Sequence, residues 1–346
     1  MTAMEQIDLL GSTINDLENL MQKLGEPKFK GRQLFKWLYF ARERDFEKMT
    51  NLSRELRRRL SERFAFGRLE VDRVSQSSDG TEKILFALND GLFVETVRIP
   101  EKQKATACVS SQVGCPLACK FCATGRIGFR RNLTPGEIVG QLLYLRGKYN
   151  SEAFENIVFM GMGEPLLNYE NLIRSIGIIS SEIGLSQSAK KITVSTVGIV
   201  PQIYMLADSG LKVNLAISLH AATDEKRRKV MPAAKSYPLA ELIRAAKYFA
   251  EKREKRVTFE YILFDGFNDT LQDVKDLSNL VKGVPCKINI LSYNSVEGLP
   301  YRRPSEKKVN EFGRLLYPRA PVVTIRKSRG LDIEAACGQL AGKKNI

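Results

Sequence analysis

The sequence has a single histidine, His220, and no run of 18 consecutive apolar residues. A helix needs about 20 apolar residues to cross a bilayer, so the sequence predicts no membrane-spanning helix. The lack of further histidines excludes zinc sites built from several histidines and weakens any histidine-based hydrolase mechanism. The chemistry must therefore come from other side chains.

Basic residues are missing from the first twenty positions, whose charged side chains are all acidic. A secretory signal needs a basic start, an apolar core and a small-residue cleavage site, and none is found there. We therefore expect a cytoplasmic protein. In that compartment the six cysteines are more often metal ligands or reactive thiols than structural disulfides, and four of them lie within residues 108–122.

The chain is strongly basic, with 54 lysines and arginines, 39 acidic residues and a net charge of +15. Such a charge indicates a polyanionic partner, most commonly nucleic acid; a merely basic surface is the alternative. Further basic clusters include "EKRRK" (225–229), while "KFKGRQLFKW" and "RELRRRLSERFAFGR" interleave basic and aromatic residues. Because aromatic faces stack on unpaired bases, this mixture favours RNA over a membrane surface.

The N-terminal part of the chain has a helical pattern. "KGRQLFKWLYFARE" and "LSRELRRRLSERF" repeat apolar residues at steps of three and four. Residues 1–75 are thus predicted to form a small basic helical domain that binds RNA. Next, "TEKILFAL" and "GLFVETVRIP" flank "NDG", which predicts a β-hairpin connector over residues 76–103.

From residue 104 to residue 346, short apolar strands alternate with helical segments. The predicted strands are "ACVSSQ", "NIVFMG", "KITVST", "VNLAISL", "RVTFEYIL", "CKINIL" and "VVTIRK". Alternating β–α units build a parallel sheet, and about six of them make a complete or partial barrel. Glycine-rich or polar residues follow several strands, at the carboxyl ends where such folds place their chemistry.

Within "GCPLACKFCATG", Cys115, Cys119 and Cys122 are spaced C-x3-C-x2-C. Thiolates hold zinc or iron–sulfur clusters, and a closed site takes four ligands. With three cysteines, one iron of a 4Fe–4S cluster keeps an open position for a substrate. The alternative is a zinc site with Cys108 as fourth ligand, although its spacing to Cys115 is wide and no second C-x2-C pair follows.

The three-cysteine motif, with Phe121 before its last cysteine, resembles that of radical S-adenosylmethionine (SAM) enzymes. In that superfamily the amino and carboxylate groups of SAM bind the open iron, and reductive cleavage yields a 5′-deoxyadenosyl radical. "GMGEP" resembles the superfamily's motif for the amino group. Gly161 and Gly163 allow close backbone approach, and Glu164 can bind an ammonium group.

Longer motifs resemble the RlmN/Cfr family of radical SAM RNA methyltransferases over essentially the whole chain. They are "CVSSQVGCPLACKFCATG", "GMGEPLLN", "SLHA", "PCKIN" and "DIEAACGQLAG". The resemblance implies an α/β fold with a partial (βα)6 barrel behind the helical domain, and methylation of an adenine ring carbon. It also implies one 4Fe–4S cluster, two SAM molecules per turnover, 23S rRNA and tRNA as partners, an external electron donor such as flavodoxin, no membrane association, and a monomer.

The resemblance also implies how an unreactive sp² carbon of adenine receives a methyl group. By motif match, Cys337 in "AACGQ" first takes a methyl group by polar displacement, and the adenosyl radical removes a hydrogen atom from it. The carbon radical adds to the base and forms a covalent protein–RNA intermediate. Cys108 in "ACVSSQ" then attacks the sulfur, releases methylated RNA and leaves a disulfide. Glu95 in "FVETVRIP" matches the base that removes the ring proton.

Other residues match the family's contacts with SAM. They are Gly163, Glu164, Ser195, Ser218, His220 and Asn294. Hydroxyl, imidazole and amide groups suit the ribose and the adenine edges, so His220 is expected to form hydrogen bonds rather than act as a base. Cys286, in the apolar "PCKINIL" segment, is expected to be a core residue.

The family has two branches, which methylate carbon 2 or carbon 8 of the same adenosine in the peptidyl-transferase centre of 23S rRNA. Pro165 after the glutamate, and "RKSRGLDIEAACGQLAG", resemble the carbon-2 branch, which commonly also modifies an adenosine beside the tRNA anticodon. The carbon-8 branch, which confers antibiotic resistance, is the alternative. A ferredoxin-like or zinc-binding adaptor would need four sulfur ligands, and another radical enzyme would need neither the basic domain nor a reactive Cys337.

Overall fold

The computed structural model describes residues 6–67, 69–102, 104–149 and 154–342, so the predicted boundaries at residues 1, 103 and 346 lie outside the described residues. Its helices are α1 (Ile14–Lys23), α2 (Phe29–Lys36), α3 (Arg54–Arg63), α4 (Ala123–Ile127), α5 (Pro135–Tyr149), α6 (Tyr169–Ser180), α7 (Val200–Asp208), α8 (Asp224–Val230), α9 (Leu239–Arg253), α10 (Leu271–Leu280) and α11 (Glu306–Leu316). Its strands are β1 (Ile7–Asp8), β2 (Phe64–Ala65), β3 (Glu70–Gln76), β4 (Glu82–Ala87), β5 (Phe93–Pro100), β6 (Ala105–Cys108), β7 (Gln112–Gly114), β8 (Phe129–Asn132), β9 (Asn156–Phe159), β10 (Ile192–Thr196), β11 (Asn214–Ser218), β12 (Val257–Leu263), β13 (Cys286–Ser292) and β14 (Val323–Arg326).

One long sheet organises the chain. Its strand order is β14-β13-β12-β11-β10-β9-β6-β5-β4-β3. Neighbouring strands are parallel from β14 to β6 and antiparallel from β6 to β3. Helices link successive parallel strands, as α6 links β9 to β10 and α10 links β12 to β13. The prediction of an α/β fold built on a partial (βα)6 barrel is confirmed, and β14 adds a further parallel strand.

The parallel strands are apolar because both of their faces are covered. In β12, "VTFEYIL", every residue is buried. α5 is also buried on most of its surface, since the barrel covers one side and the N-terminal segment the other. Within the described ranges, no helix is both long enough and apolar enough to cross a lipid bilayer.

The N-terminal helices pack into the same apolar core as the barrel. α1 begins after Thr13, whose side chain takes part in a capping box. α2 continues through a π-helical turn, Trp37–Ala41. The hydroxyl of Tyr39 in that turn accepts a hydrogen bond from the amide of Gly11 (2.8 Å) and donates one to the carbonyl of Ser12 (3.0 Å). These two hydrogen bonds hold the π-helical turn against Gly11 and Ser12, and Gly11 in turn contacts the first turn of α5.

Two elements differ from the sequence prediction. The helices end at Arg63, and Glu70–Gln76 forms a strand although it was assigned to the helical domain. Its backbone groups find hydrogen-bond partners in β4, and this pairing overrides the local pattern. The predicted hairpin is present as β4 and β5. It extends the barrel sheet rather than linking two domains, because β5 also pairs with β6.

Two glycines allow the N-terminal segment to lie directly on the first turn of α5. A Cβ atom on Gly136 would lie 2.4 Å from the carbonyl oxygen of Leu10. One on Gly11 would lie 2.4 Å from the amide nitrogen of Gly136. Both neighbours are backbone atoms, which cannot turn away as a flexible side chain could. This close approach therefore requires glycine at both positions.

We expect Gly136→Ala to lower the free energy of unfolding by about 1–3 kcal/mol, because the new methyl group pushes the backbone at Leu10 away from α5. Gly147→Ala in the same helix is the matched control, since a Cβ there meets no atom within 4 Å. The control should gain up to about 1 kcal/mol from better helix propensity. Urea unfolding measures both variants, and equal effects would contradict the close contact.

Candidate active site

A cavity opens where the parallel strands end at their carboxyl termini, with a volume of about 980 Å³ including its open mouth. Part of its wall is apolar and is formed by Phe121, Phe159 and Ile262. The predicted site residues that line it are Cys115, Cys119, Cys122, Gly163, Glu164, Ser195, Ser218, His220 and Cys337. The structure thus brings the predicted cluster ligands and most of the predicted SAM contacts together. The remaining predicted residues, Cys108, Glu95 and Asn294, lie outside this cavity.

The three cysteines lie on a loop that is closed by backbone hydrogen bonds. Cys115 follows β7, and its amide donates to the carbonyl of Gly128 (3.1 Å), which precedes β8. Cys122 immediately precedes α4, and its amide donates to the carbonyl of Cys119 (3.1 Å). The β7–β8 pair and the turn into α4 therefore hold the three thiols along one wall of the cavity.

The three thiols line one cavity, where they could serve as ligands of an iron–sulfur cluster. A zinc ion draws its sulfur ligands to about 2.3 Å from one point. Among the described residues, no three Cys, His, Asp or Glu side chains are placed to hold one ion, although the three thiols share a cavity. Each iron of a cluster takes its own cysteine, so separated thiols suit it. Cys108, the fourth ligand of the zinc alternative, lies in a different cavity.

Burial favours the protonated form of two of these thiols, those of Cys115 and Cys119. It raises the pKa of the Cys115 thiol to about 12, and it raises that of Cys119 well above its usual value. Metal coordination requires the thiolate form. A cluster bound at these two thiols would therefore displace their protons.

Gly163 and Glu164 form the turn after β9. Gly163 has a φ of 99°, and a Cβ atom there would lie 2.5 Å from the Cβ of Gln112. The buried carboxylate of Glu164 accepts hydrogen bonds from the amides of Leu166 (3.1 Å) and Val197 (2.8 Å). Burial nevertheless raises the pKa of Glu164 to about 7. A cationic ligand in the cavity would favour the ionised carboxylate.

His220, just beyond β11, is a neutral hydrogen-bonding group. Its buried ring packs edge-on against Phe121, with 5.1 Å between ring centroids. Its Nδ1 accepts a hydrogen bond from the amide of Ile262 (3.1 Å). Burial, together with the positive charge of Arg227, lowers the pKa of His220 to about 3. The neutral ring then carries its proton on Nε2, which is left as a donor.

Arg227 has a structural role that the sequence did not reveal. It belongs to the charged run "EKRRK", yet its side chain is fully buried. The guanidinium donates to the carbonyls of Leu219 (3.3 Å) and Tyr237 (3.3 Å), and also to that of Val197. It therefore ties together the loops that follow β10 and β11. A charged run carries no local signal that one of its arginines is buried, because only the packing of α8 decides this.

Two further charged residues at the cavity were not predicted, Glu260 on β12 and Arg326 on β14. Oε1 of Glu260 accepts a hydrogen bond from Nδ2 of Asn289 (3.0 Å). Oε2 has no hydrogen-bond partner among the described residues. A glutamate inside the apolar strand "VTFEYIL" was the available signal, since burying a carboxylate is costly without a partner.

A second cavity adjoins the first and is lined by three of the predicted residues: Cys108 on β6, Asn294 after β13, and Cys337. The residues that line both cavities are Met160, Leu291, Arg326, Cys337 and Leu340. Cys337 is exposed, whereas Cys108 is buried. Cys337 therefore lies on the boundary, with the three motif cysteines on one side and Cys108 on the other.

Residues 334–342, the C-terminal segment, hold Cys337 in this place. The amide of Ala123 and the hydroxyl of Thr124, both in α4, donate to backbone carbonyls of the segment at 2.7 Å and 2.6 Å. Nδ2 of Asn294 donates to the carbonyl of Cys337 (3.1 Å). Because α4 follows Cys122 directly, the cysteine loop and the C-terminal segment position each other.

Glu95 binds the far end of the C-terminal segment. Its Oε2 accepts hydrogen bonds from the amides of Ala341 (2.8 Å) and Gly342 (3.0 Å). Its Oε1 lies 3.2 Å from Nζ of Lys83, and the side chain is buried. Glu95 therefore contacts the segment that carries Cys337 rather than either cavity.

The neutral state of His220 can be measured directly, because it is the only histidine in the sequence. With its pKa lowered to about 3, its ring resonances should not titrate between about pH 8 and about pH 5. In the unfolded chain this histidine takes up a proton near pH 6.5, whereas in the folded protein it stays neutral down to about pH 3. The free energy of unfolding therefore has its full contribution from the neutral ring above about pH 6.5 and loses it progressively as the pH falls toward 3. NMR of histidine-labelled protein tests this, and a midpoint near the unfolded value would contradict it.

Comparison with known proteins gives matches over nearly the whole chain. The Radical SAM superfamily matches residues 109–281, and the ribosomal RNA large subunit methyltransferase N-terminal domain matches residues 7–65. The dual-specificity RNA methyltransferase RlmN of Syntrophus aciditrophicus is 46% identical over 342 residues, 98% of each chain. The probable dual-specificity RNA methyltransferase RlmN of Dictyoglomus turgidum is 45% identical over 335 residues, 96% of each chain.

A solved structure shares the architecture. The crystal structure of a radical SAM methyltransferase from Sphaerobacter thermophilus superposes with a TM-score of 0.91 at 41% sequence identity. The match covers 97% of this chain and 99% of that one. Full-length identity at this level, on the same fold and with the cysteine loop in place, means that the chain belongs to the RlmN family of radical SAM RNA methyltransferases.

Proposed function

We propose that this protein methylates carbon 2 of an adenosine in the peptidyl-transferase centre of 23S rRNA and of an adenosine next to the tRNA anticodon. The observation that carries the proposal is the position of Cys337 on the boundary of two cavities. A methyl carrier must meet its methyl source on one side and the RNA base on the other. The proline at 165 and the full-length likeness to relatives named RlmN support carbon 2.

The first cavity is the proposed site of the cofactors. Three thiols would hold one 4Fe–4S cluster, and SAM would lie beside it. When bound, these groups supply the methyl group and the radical. We assign the cofactor contacts to Gly163, Glu164, Ser195, Ser218 and His220, which all line this cavity. Asn294 lines the second cavity and would reach SAM only where the two cavities meet.

Cys337 is the proposed methyl carrier and Cys108 the thiol that resolves the adduct. Cys337 is exposed as a residue, but loss of solvation around its thiol raises the pKa of that thiol, and the positive charge of Arg326 acts in the opposite direction. Burial also holds the pKa of the Cys108 thiol above its usual range. Cys337 is the more accessible of the two and would therefore react first. Cys108 would then attack the sulfur of Cys337, which lies on the boundary between the two cavities.

Glu95 is the proposed acceptor of the ring proton. Two backbone amides at the end of the C-terminal segment and the amine of Lys83 engage its carboxylate. These donors occupy both oxygens of the carboxylate, so they would have to withdraw before either oxygen could reach the ring proton. We therefore expect the C-terminal segment to shift when RNA binds.

The remaining assignments concern partners. We propose that the basic N-terminal helices bind the RNA backbone, and that the target adenine enters the second cavity after leaving its stack. We also propose that an external donor such as a flavodoxin reduces the cluster, and that the protein acts as a monomer in the cytoplasm.

The main experiment uses reconstituted protein under anaerobic conditions with a reductant, SAM and unmodified 23S rRNA. The RNA is digested to nucleosides and resolved by mass spectrometry against standards. We expect 2-methyladenosine. A product of 8-methyladenosine would keep the chemistry and contradict the assigned carbon. SAM cleavage without any methylated adenosine would contradict the RNA assignment.

Two cysteine variants separate the proposed roles in the same assay. Cys337→Ala should abolish methylation but retain iron and SAM binding, because the carrier is lost while the cluster ligands remain. Cys108→Ala should still attach RNA to the protein but fail to release it, so a covalent adduct should accumulate on denaturing gels. Cys286→Ala is the control, since that cysteine is buried in the core on β13. Loss of iron from Cys337→Ala would make Cys337 a cluster ligand instead.

The arginines of α3 are poorly suited to testing RNA binding, because they make contacts within the protein. Arg57 and Arg59 of α3 donate to backbone carbonyls within their own region, and Arg58 pairs with two glutamates of its helix. Reversing the charge of Arg57 or Arg59 would break these contacts with the backbone, and reversing that of Arg58 would remove its two ion pairs. In and around α2, in contrast, Lys28, Lys36, Phe29 and Phe40 are exposed, and Nζ of Lys36 lies 5.5 Å from the centre of the Phe40 ring. This mixture of charge and aromatic surface suits unpaired RNA.

We expect the double variant Lys28→Glu with Lys36→Glu to bind RNA more weakly, and to lower the slope of log affinity against log salt by about 2. SAM cleavage in the absence of RNA should be unchanged. Lys247→Glu, an exposed charge on α9, is the matched control. Filter binding at several salt concentrations measures the slopes. Wild-type affinity and slope in the double variant would remove α2 from the RNA interface.

A further inference from the structure

Glu260 is a buried carboxylate that none of the roles above uses. It is 6% exposed and lies in the middle of β12, on the wall of the first cavity. One of its oxygens is bonded to Asn289, and the other has no partner among the described residues. Buried polar atoms are paired in most native structures, so this oxygen indicates a ligand.

The carboxylate is held from one side by a row of polar side chains. The row crosses four neighbouring strands at the same register: Ser218 on β11 is paired with Glu260 on β12, Glu260 with Asn289 on β13, and Asn289 with Thr324 on β14. The hydroxyl of Thr324 donates to Oδ1 of Asn289, and Nδ2 of Asn289 donates to Oε1 of Glu260. This chain fixes the orientation of the carboxylate and leaves Oε2 as the free acceptor, next to the strand that carries Ser218.

The surroundings of Glu260 favour a neutral ligand that donates hydrogen bonds. Burial raises the pKa of Glu260, whereas Arg326, Asn289 and Lys287 lower it. A buried carboxylate without partners costs free energy, and a donor on the ligand would remove that cost. Two adjacent donors on one ligand could serve both Oε2 and the neighbouring serine hydroxyl.

We propose that Oε2 of Glu260, with Ser218 beside it, binds the two ribose hydroxyls of the adenosyl group in the first cavity. The inference rests on the proposed function, because it takes SAM as the ligand of this cavity. A ribose is a vicinal diol and presents two donors side by side. Glu164, the other acidic residue of the cavity, has both oxygens engaged by backbone amides and lies on the β9 side.

The position of Cys337 places ribose rather than adenine at Glu260. Glu260 and Cys337 both line the first cavity. In the proposed reaction the 5′ carbon of the adenosyl group must approach the methyl group on Cys337. The ribose is joined to that carbon, whereas the adenine lies beyond the ribose. The flat base is better matched to apolar wall such as Val197 and Ile262.

The test measures ligand binding, without turnover. Reconstituted protein with its cluster is titrated under anaerobic conditions with S-adenosylhomocysteine and with its analogue that lacks both ribose hydroxyls. The wild-type protein and Glu260→Gln are compared by isothermal titration calorimetry. Glu311→Gln, an exposed carboxylate on α11, is the matched control for loss of one negative charge.

Glu260→Gln should bind S-adenosylhomocysteine about 10-fold to 100-fold more weakly than the wild type, because hydrogen bonds to a charged acceptor are lost. The analogue should show little difference between these two proteins. Wild-type protein should itself prefer the natural ligand over the analogue by a similar factor. Glu311→Gln should match the wild type with both ligands.

Two results would overturn the inference. One is unchanged affinity of Glu260→Gln for S-adenosylhomocysteine, and the other is an equal loss for both ligands, which would make Glu260 a support of the fold. Melting temperature and iron content of each variant show whether the protein is intact. The proposed function is judged separately, since it fails only if wild-type protein yields no methylated adenosine.

Discussion

The active site depends on the contact between α4 and the C-terminal segment. A helix that begins directly after the third cysteine donates two hydrogen bonds to carbonyls more than two hundred residues further along the chain. Because the acceptors are backbone atoms, the contact fixes where the segment runs whatever its side chains are. Cys337 is thereby held between the cavity of the cysteine loop and the cavity of Cys108. The proposed carrier role depends on this position.

Burial controls the charge of the polar groups around the cavity. It raises the pKa of Glu164 and Glu260 and lowers that of His220. Each of these side chains is nevertheless oriented by a hydrogen bond from a neighbouring strand or loop. The cavity therefore contains oriented groups whose charged forms are disfavoured by burial. The polar groups of a cofactor would meet acceptors and donors already in place.

Some elements were predictable because one physical rule governs them locally. A parallel strand covered on both faces must be apolar, and the apolar runs of the barrel region were therefore found as strands. Glu70–Gln76 was assigned wrongly because it is an edge strand whose residues are mostly exposed, so it lacks that signal. Arg227 was missed for a similar reason, since its burial depends on loops that follow other strands.

The sequence by itself determined the chemistry that the protein can support. The spacing of Cys115, Cys119 and Cys122 and the order of the later motifs identify the family, because ligand type and spacing are local properties of the chain. Only the tertiary structure decided which residues meet. Three features depend on strand register and on contacts between distant parts of the chain. They are the binding of Glu95 to the C-terminal segment, the place of Cys337 on a boundary, and the oxygen of Glu260 that has no partner within the described part of the chain. No short-range pattern encodes such contacts, because packing of the whole barrel selects them.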